Sequence, residues 1–204
     1  MMKISESLKQ KLENRQRKIL DRPRRAAILV PIIEDQDEPR ILLTRRSETL
    51  NHHKGEVAFP GGFFEDTDAS LEETALREAL EEIGLPSNAV DIIGRHDDLF
   101  PVSASTAVTP IVGVLRDLPP LCPNPKEVAK VFTIPIKELI DPQRWTMKWK
   151  VWEELNWPIF YFEHQGETLW GMSAYVTLLT LHHSHLGAPV DMSWLQLKHI
   201  NHQS

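Results

Sequence analysis

The 204 residues contain a single cysteine, Cys122. One thiol cannot build an internal disulfide framework or a multi-cysteine zinc site. Between Leu121 and Pro123 it reads as structural rather than as a nucleophile. No apolar run approaches the roughly 18–20 residues of a membrane span. The opening MMKISESLKQKLENRQRKIL lacks the apolar centre of a secretory signal. The expectation is a cytoplasmic protein with no membrane partner. Positive charge is also in deficit, with 23 Lys and Arg against 29 Asp and Glu and a net charge of −6. A general nucleic-acid binder needs a basic surface, so that class is disfavoured. A small polyphosphate ligand is not, because metal ions and a few local cations can neutralise it. Internal repeats and low-complexity blocks are absent.

What remains is an ordinary composition on a length that suits one domain with a sizeable core. In residues 1–22, Ile4, Leu8, Leu12 and Ile19 suggest a short amphipathic helical extension, read first as packing on the domain. Ala26 to Ile33 reads as a buried strand, Glu34 to Pro39 as a turn, and Arg40 to Arg46 as the antiparallel return. Val90 to Leu99, Ala107 to Leu115 and Val131 to Ile134 read as further strands. Pro135 to Leu139 reads as a short helix with proline in its first turn. The stretch Trp145 to Phe162 holds four of the six tryptophans and carries no clear period. Leu169 to His185 reads as the last helix, and residues 191–204 as a tail. The pattern alone gives a mixed α/β domain.

The most informative segment is Phe59 to Leu85, where an aromatic-Pro-Gly-Gly turn runs into a helix. At about 100° per residue, Leu76, Ala79, Leu80 and Ile83 share a stripe expected to face the core. Glu78, Glu81 and Glu82 gather on nearly the opposite side. Like charges at these spacings oppose a helix by about 0.2–0.5 kcal/mol per pair. Such a cluster either stays in water, the commoner case for a charged helix face, or holds a cation. Mg²⁺ takes oxygen ligands, with substrate phosphates completing its shell. Gly61 and Gly62 permit close backbone approach beside the acidic face.

This segment resembles the signature of the Nudix hydrolases, which reads a glycine, five residues, a glutamate, seven residues, then R-E-U-x-E-E-x-G-U with U aliphatic. Gly62 opens it, and Arg77, Glu78, Ala79, Glu81, Glu82, Gly84 and Leu85 match its end. Asp68 stands at the isolated glutamate, and eight residues rather than seven separate it from Arg77. The extra residue falls where the loop can absorb it before the helix starts. Upstream, Leu42-Leu43-Thr44-Arg45-Arg46-Ser47, Leu50, His53, Gly55 and Phe59-Pro60-Gly61-Gly62 resemble the additional signature of the coenzyme A pyrophosphatase branch. Val108 to Gly113, Asn124 to Val128 and Trp170 to Ala174 extend the similarity over roughly residues 26 to 185. Asn51 departs from that branch, which usually carries arginine in its slot.

The resemblance implies an α/β/α sandwich around a mixed β-sheet, the Nudix fold, over residues 23–190. It also implies metal-dependent hydrolysis of a diphosphate linkage. Coenzyme A or a derivative would yield 3′,5′-ADP and a 4′-phosphopantetheine product. Another nucleoside diphosphate derivative (ADP-ribose, NADH or a nucleoside triphosphate) and a non-catalytic ligand-binding domain are the competing readings. The cofactor would be Mg²⁺ or Mn²⁺, which neutralises the diphosphate and lowers the pKa of a bound water. Glu78 and Glu82, one turn apart, are the first metal-ligand candidates. Glu81 would ligate directly or through water, and Gly62 would offer its carbonyl. Arg77 would pin a carboxylate without touching substrate. Asp68 would be structural or at the site's edge. Glu127 is the candidate outside the box, as general base or further ligand, against the plainer reading of an exposed loop carboxylate. Arg45, Arg46 and Lys54 are candidates for substrate phosphates; on a strand Arg45 and Arg46 would point to opposite faces. His53 either helps that loop or is tied into its hydrogen bonds. His182, His183 and His185 read as helix C-terminal histidines rather than a metal cluster. A homodimer is compatible with all of this.

Overall fold

The computed structural model describes residues 2–34, 38–100, 105–152 and 155–192. The expected turn at Glu34 to Pro39 therefore lies partly, and the expected tail mostly, outside the described residues.

The apolar run Arg24–Ile33 forms β1, buried on both faces at the centre of the sheet. It pairs in parallel with β6, Thr106–Leu115, whose ten residues are all buried. Continuous burial of Val, Ile and Leu on both faces is what a central parallel pair requires. β2, Arg40–Arg46, leaves β1 after the pairs Ile32–Ile41 and Ile33–Arg40 and runs antiparallel along β7, Val128–Pro135. The edge of β1 that β2 vacates is taken by β4, Gly61–Phe63. β3, Val57–Ala58, flanks β2, and β5, Asp91–Arg95, flanks β6. The result is a seven-stranded mixed sheet.

Alternate residues of β1 feed two cores. Ala27, Leu29 and Ile33 meet Ala75, Ala79 and Ile83 of α2, Leu71–Ile83. Val30 and Ile32 pack toward α1, Ile4–Glu13, and α4, Gly171–His183. The architecture is thus an α/β/α sandwich around a mixed sheet. In α1, Ile4, Leu8 and Leu12 are buried in that second core, whereas Ile19 lies beyond the helix end and is exposed. After α3, Ile136–Leu139, the tryptophan-rich stretch becomes a hairpin of β8, Trp145–Trp152, and β9, Leu155–His164. β10, Glu167–Trp170, completes a separate three-stranded sheet.

Two boundaries differ from the sequence reading for reasons of pairing. Leu169 and Trp170 belong to β10 because they pair with Phe162 and Tyr161, so α4 starts only at Gly171. The strand expected over Val90 to Leu99 ends at Arg95, after a register shift near Gly94. Beyond it Asp97 and Asp98 accept hydrogen bonds from Lys18 N and Leu20 N, tying the chain to the N-terminal segment. Among the described residues, no helix is long and apolar enough to cross a membrane.

Candidate active site

α2 is fixed at both ends. Ser70 Oγ accepts from Glu73 N at 3.2 Å, satisfying one of the free donors of the first turn. Gly84 adopts φ 69° and closes the helix, with its N–H donating to Leu80 O and Leu85 N donating to Ala79 O. The loop from Phe63 to Ser70 absorbs the extra residue, so Glu78, Glu81 and Glu82 keep their relative positions on the helix.

Their environments differ sharply. Leu80, expected in the core, is 51% exposed, and Glu82, expected on the outer face, is 5% exposed. The core stripe is Ala75, Ala79 and Ile83, a strict one-turn spacing that turns Leu80 outward. The loop before β7 docks on the helix end through Cys122 N to Ile83 O and Asn124 N to Glu82 O, while the Glu82 carboxylate turns in toward Gly61 N and Arg46. Glu78 is half-buried, and Glu81 is open to solvent.

β4 delivers the two glycines to these carboxylates. Gly61 N donates to Glu82 Oε2 at 3.3 Å. A β-carbon on Gly62 would stand 2.3 Å from Glu78 Oε1, so the carboxylate occupies the space that glycine leaves. Arg46, at the end of β2, brings Nη1 to 3.8 Å from Glu82 Oε1. Burial pushes the Glu82 carboxyl up to about 7, against the Arg46 charge and the Gly61 N–H, with Glu78 and Glu127 adding to the rise. Glu78 is raised as well, first by burial, with Arg77 opposing and Glu81 and Glu127 reinforcing. The fields at both glutamates place Glu127 in the same electrostatic cluster. Asn124 Nδ2 donates to Glu127 Oε1 at 3.1 Å and orients it.

Arg77 is the hub beneath the acids. Its Nε and Nη2 donate to the two oxygens of Asp68 at 2.9 and 3.1 Å, and Nη2 also donates to Phe63 O. Nη1 donates to Glu78 at 3.0 Å and to Glu81 at 3.3 Å. Arg77 thereby ties the loop to the helix, and Glu73 accepts from Ala69 N at the helix start.

The remaining candidates lie apart. Arg45 turns to the other face of the sheet, 3.8 Å from Glu167. His53 sits at φ 56° with Nδ1 3.0 Å from Glu56 Oε2, tied into its own loop. Lys54 is exposed in that loop and makes no ion pair with the α2 glutamates among the described residues. His183 packs on the buried His96, and His185 Nδ1 lies 3.0 Å from Ser7 Oγ. Sequence reasoning missed Gly61 N as a partner of Glu82 and Asn124 as the group that orients Glu127. The Asn-Pro-Lys-Glu run was the available signal for the second.

Among the described residues, no three His, Cys, Asp or Glu side chains form a closed cation cage. Glu78 faces Arg77 and Glu82 faces Arg46, as buried carboxylates take the nearest cations. The donor set still fits a hard divalent ion: two carboxylates raised by burial, a third charge from Glu127, and a glycine backbone with no side chain in the way.

The NUDIX domain family model matches residues 22–157. Uncharacterized Nudix hydrolase NudL of Cronobacter sakazakii (strain ATCC BAA-894) is 44% identical over 161 residues, covering 74% of this chain and 78% of that protein. The chain belongs to the Nudix hydrolase family. The NudL protein of Yersinia pestis (strain Pestoides F) is 40% identical over 153 residues, 74% of this chain and 75% of its own length. A Nudix hydrolase from M. smegmatis, RenU, superposes with a TM-score of 0.47 at 20% identity, over 56% of this chain and 71% of that one. The Nudix box of this chain is the loop Gly62–Ser70, helix α2 and the closing Gly84 and Leu85, clamped by Arg77.

Proposed function

We propose that the chain hydrolyses the diphosphate linkage of coenzyme A or its derivatives, releasing 3′,5′-ADP and 4′-phosphopantetheine. The observation that supports this is the half-buried Glu78 and the buried Glu82 against Gly61-Gly62, with the charge of Glu127 acting on both. Mg²⁺ or Mn²⁺ bound there would neutralise the diphosphate and acidify a water. Glu78, Glu82 and the Gly62 carbonyl are the proposed ligands, with Glu81 reaching the ion directly or through water from its exposed position. Arg77 is a positioning residue that keeps Glu78 and Glu81 aimed by holding the loop through Asp68. Glu127, oriented by Asn124, is proposed to accept the proton of the attacking water or to serve as a further ligand.

Arg46 is the proposed contact for the diphosphate, since its Nε has no hydrogen-bond partner among the described residues and its guanidinium already faces the acids. Lys54 and His53 are proposed to meet substrate from the loop over residues 47–55, whose base is tied to the Glu127 loop by Ser47 N to Glu127 O and Thr49 Oγ1 to Lys126 O. Hydrolysis adds one water across the P–O–P bridge and leaves two phosphomonoesters. The proposal takes the chain as a cytoplasmic enzyme of small molecules, without nucleic-acid or membrane partners; a homodimer is compatible with it.

Asn51 favours a second reading, in which the same chemistry acts on ADP-ribose, NADH or a nucleoside triphosphate. A panel of these compounds, dinucleoside polyphosphates and coenzyme A, assayed with Mg²⁺ and Mn²⁺, separates the two. Highest kcat/KM on coenzyme A is expected. Clear preference for any other member sinks the assignment, and a gain of coenzyme A turnover in Asn51→Arg would mark that slot as the cause.

A further inference from the structure

The pairing of β2 with β7 changes register between Arg45 and Arg46. Arg46 stands opposite Val128, and Ala129 has no opposite residue. Such a bulge re-aims the residues beyond it and is common beside active sites. Here it brings Ser47 to Glu127, and Ser47 N donates to Glu127 O at 2.8 Å.

The α-carbon of Glu127 lies between two peptide planes, and all four of their polar groups are hydrogen-bonded. Glu127 N and Val128 N both donate to Asn124 O, at 3.0 and 2.8 Å. Glu127 O accepts from Ser47 N, and Lys126 O accepts from Thr49 Oγ1 at 3.3 Å. Holding both planes fixes φ and ψ of Glu127, and with them the direction in which its side chain leaves the backbone. Asn124 supplies one half of that frame, and residues 47–49 supply the other.

The hydroxyls of this segment have defined directions, because each has a single proton to donate. Thr49 gives its own to Lys126 O, so the 2.8 Å contact between Ser47 Oγ and Thr49 Oγ1 carries the serine proton toward the threonine. Thr49 N donates back to Ser47 Oγ at 3.3 Å. Ser47 is buried, whereas Thr49 is exposed. A hydrogen bond in competition with water contributes little to stability. What the Thr49 hydroxyl governs is where the Lys126–Glu127 backbone sits.

We infer that Ser47 and Thr49 are positioning residues for Glu127, their hydroxyl pair holding the backbone from which Glu127 acts on the acid cluster. This rests on the reading of Glu127 as base or further ligand and deepens it. Arg46, the proposed diphosphate contact, immediately precedes Ser47. One junction therefore sets both the substrate contact and the carboxylate that serves it.

The test measures 3′,5′-ADP release from coenzyme A and AMP release from ADP-ribose by the full chain with Mg²⁺. Thr49→Val removes the hydroxyl and keeps the branched shape. It should lower kcat about tenfold, with KM changed less than about twofold and the melting temperature unchanged. Thr49→Ser, which keeps the hydroxyl, should recover most of the loss. Ser47→Ala should lower kcat similarly, and the double variant should be no slower than the worse single, because the two hydroxyls form one chain. Added to Glu127→Gln, Thr49→Val should cost less than about a further twofold. In amide exchange followed by NMR without metal, the Ser47 N–H should exchange about tenfold faster in Thr49→Val, while Leu42 and Leu43 of β2 keep their rates. A fully active Thr49→Val, a loss that appears in KM or melting temperature instead of kcat, or an undiminished further loss on Glu127→Gln overturns the inference and leaves the reading of Glu127 standing. A fully active Glu127→Gln refutes that reading, and the inference with it. If wild type hydrolyses neither compound, the diphosphatase reading fails by itself, and unchanged Ser47 exchange then removes the inference too.

Discussion

Asp68→Asn tests whether one buried acid carries the aim of the glutamate helix. Oδ1 of Asp68 accepts from Arg77 Nε, and Oδ2 accepts from Arg77 Nη2, Thr74 Oγ1 and Glu65 N, all between 2.9 and 3.1 Å. Asparagine preserves the shape but supplies one acceptor oxygen. Whichever way the amide turns, an N–H meets a donor of Arg77, and at least one charge-assisted bond worth about 1.5–3 kcal/mol is lost. A second route gives a similar figure. Hydrogen bonding to Arg77 is the largest influence lowering the Asp68 carboxyl, from 3.8 to about 2, against burial that raises it. At about 1.4 kcal/mol per tenfold, that displacement corresponds to roughly 2 kcal/mol. The side chain is 2% exposed, so solvent screens little of it. Because the folded pKa is depressed, the stabilisation is complete above the unfolded value near 4 and is lost as pH falls through about 2. Urea unfolding followed by tryptophan fluorescence should place the variant about 2–3 kcal/mol below wild type from pH 7 to pH 5. The gap should narrow below about pH 4. A gap under about 0.5 kcal/mol at pH 7, or one that widens on acidification, refutes the assignment.

Three further outcomes are expected. Gly62→Ala must displace the Glu78 carboxylate, which lies 2.3 Å from the new carbon; turnover should fall at least about tenfold with little change in melting temperature, and an active variant argues against the close approach. Burial, with the charges of Arg15 and His182, holds His183 at about 4, below its ordinary 6.5, so its neutral packing on His96 stabilises the fold above about 6.5 and is lost as pH falls through about 4. His183→Gln should therefore flatten the acid limb of a melting-temperature profile between those pH values, and an unchanged slope counts against it. Asn124→Ala frees Glu127 from its 3.1 Å donor and should lower kcat more than it raises KM; a pure KM effect would place Glu127 in ground-state binding instead.

Much of the fold was legible because it rests on local pattern. The apolar run at Ala26 to Ile33 reads as a buried strand, and it lies within β1. The box residues gave the family for the same reason, since their spacing is a helix period joined to a glycine turn. Burial of individual acids was not legible. Glu82 turns in toward Gly61 N and Arg46, both far upstream in the chain, and no helical wheel contains them. Leu80 faces outward because Ala75, Ala79 and Ile83 take the core stripe. The split of Arg45 from Arg46 was readable as strand alternation, but Glu167 as the destination of Arg45 depends on where β10 packs. β8 escaped because Thr146 to Val151 are all exposed, with Met147, Trp149 and Val151 among them. Without a buried face there is no polar–apolar period to read.

The most direct test of the central claim is the rate of 3′,5′-ADP release from coenzyme A by wild type and by Glu82→Gln, with Mg²⁺ or Mn²⁺ present. Metal-dependent release by wild type, slowed at least about a hundredfold in a variant that melts normally, is the predicted result. Equal rates in the two proteins, or no release by wild type with either metal, would contradict the account.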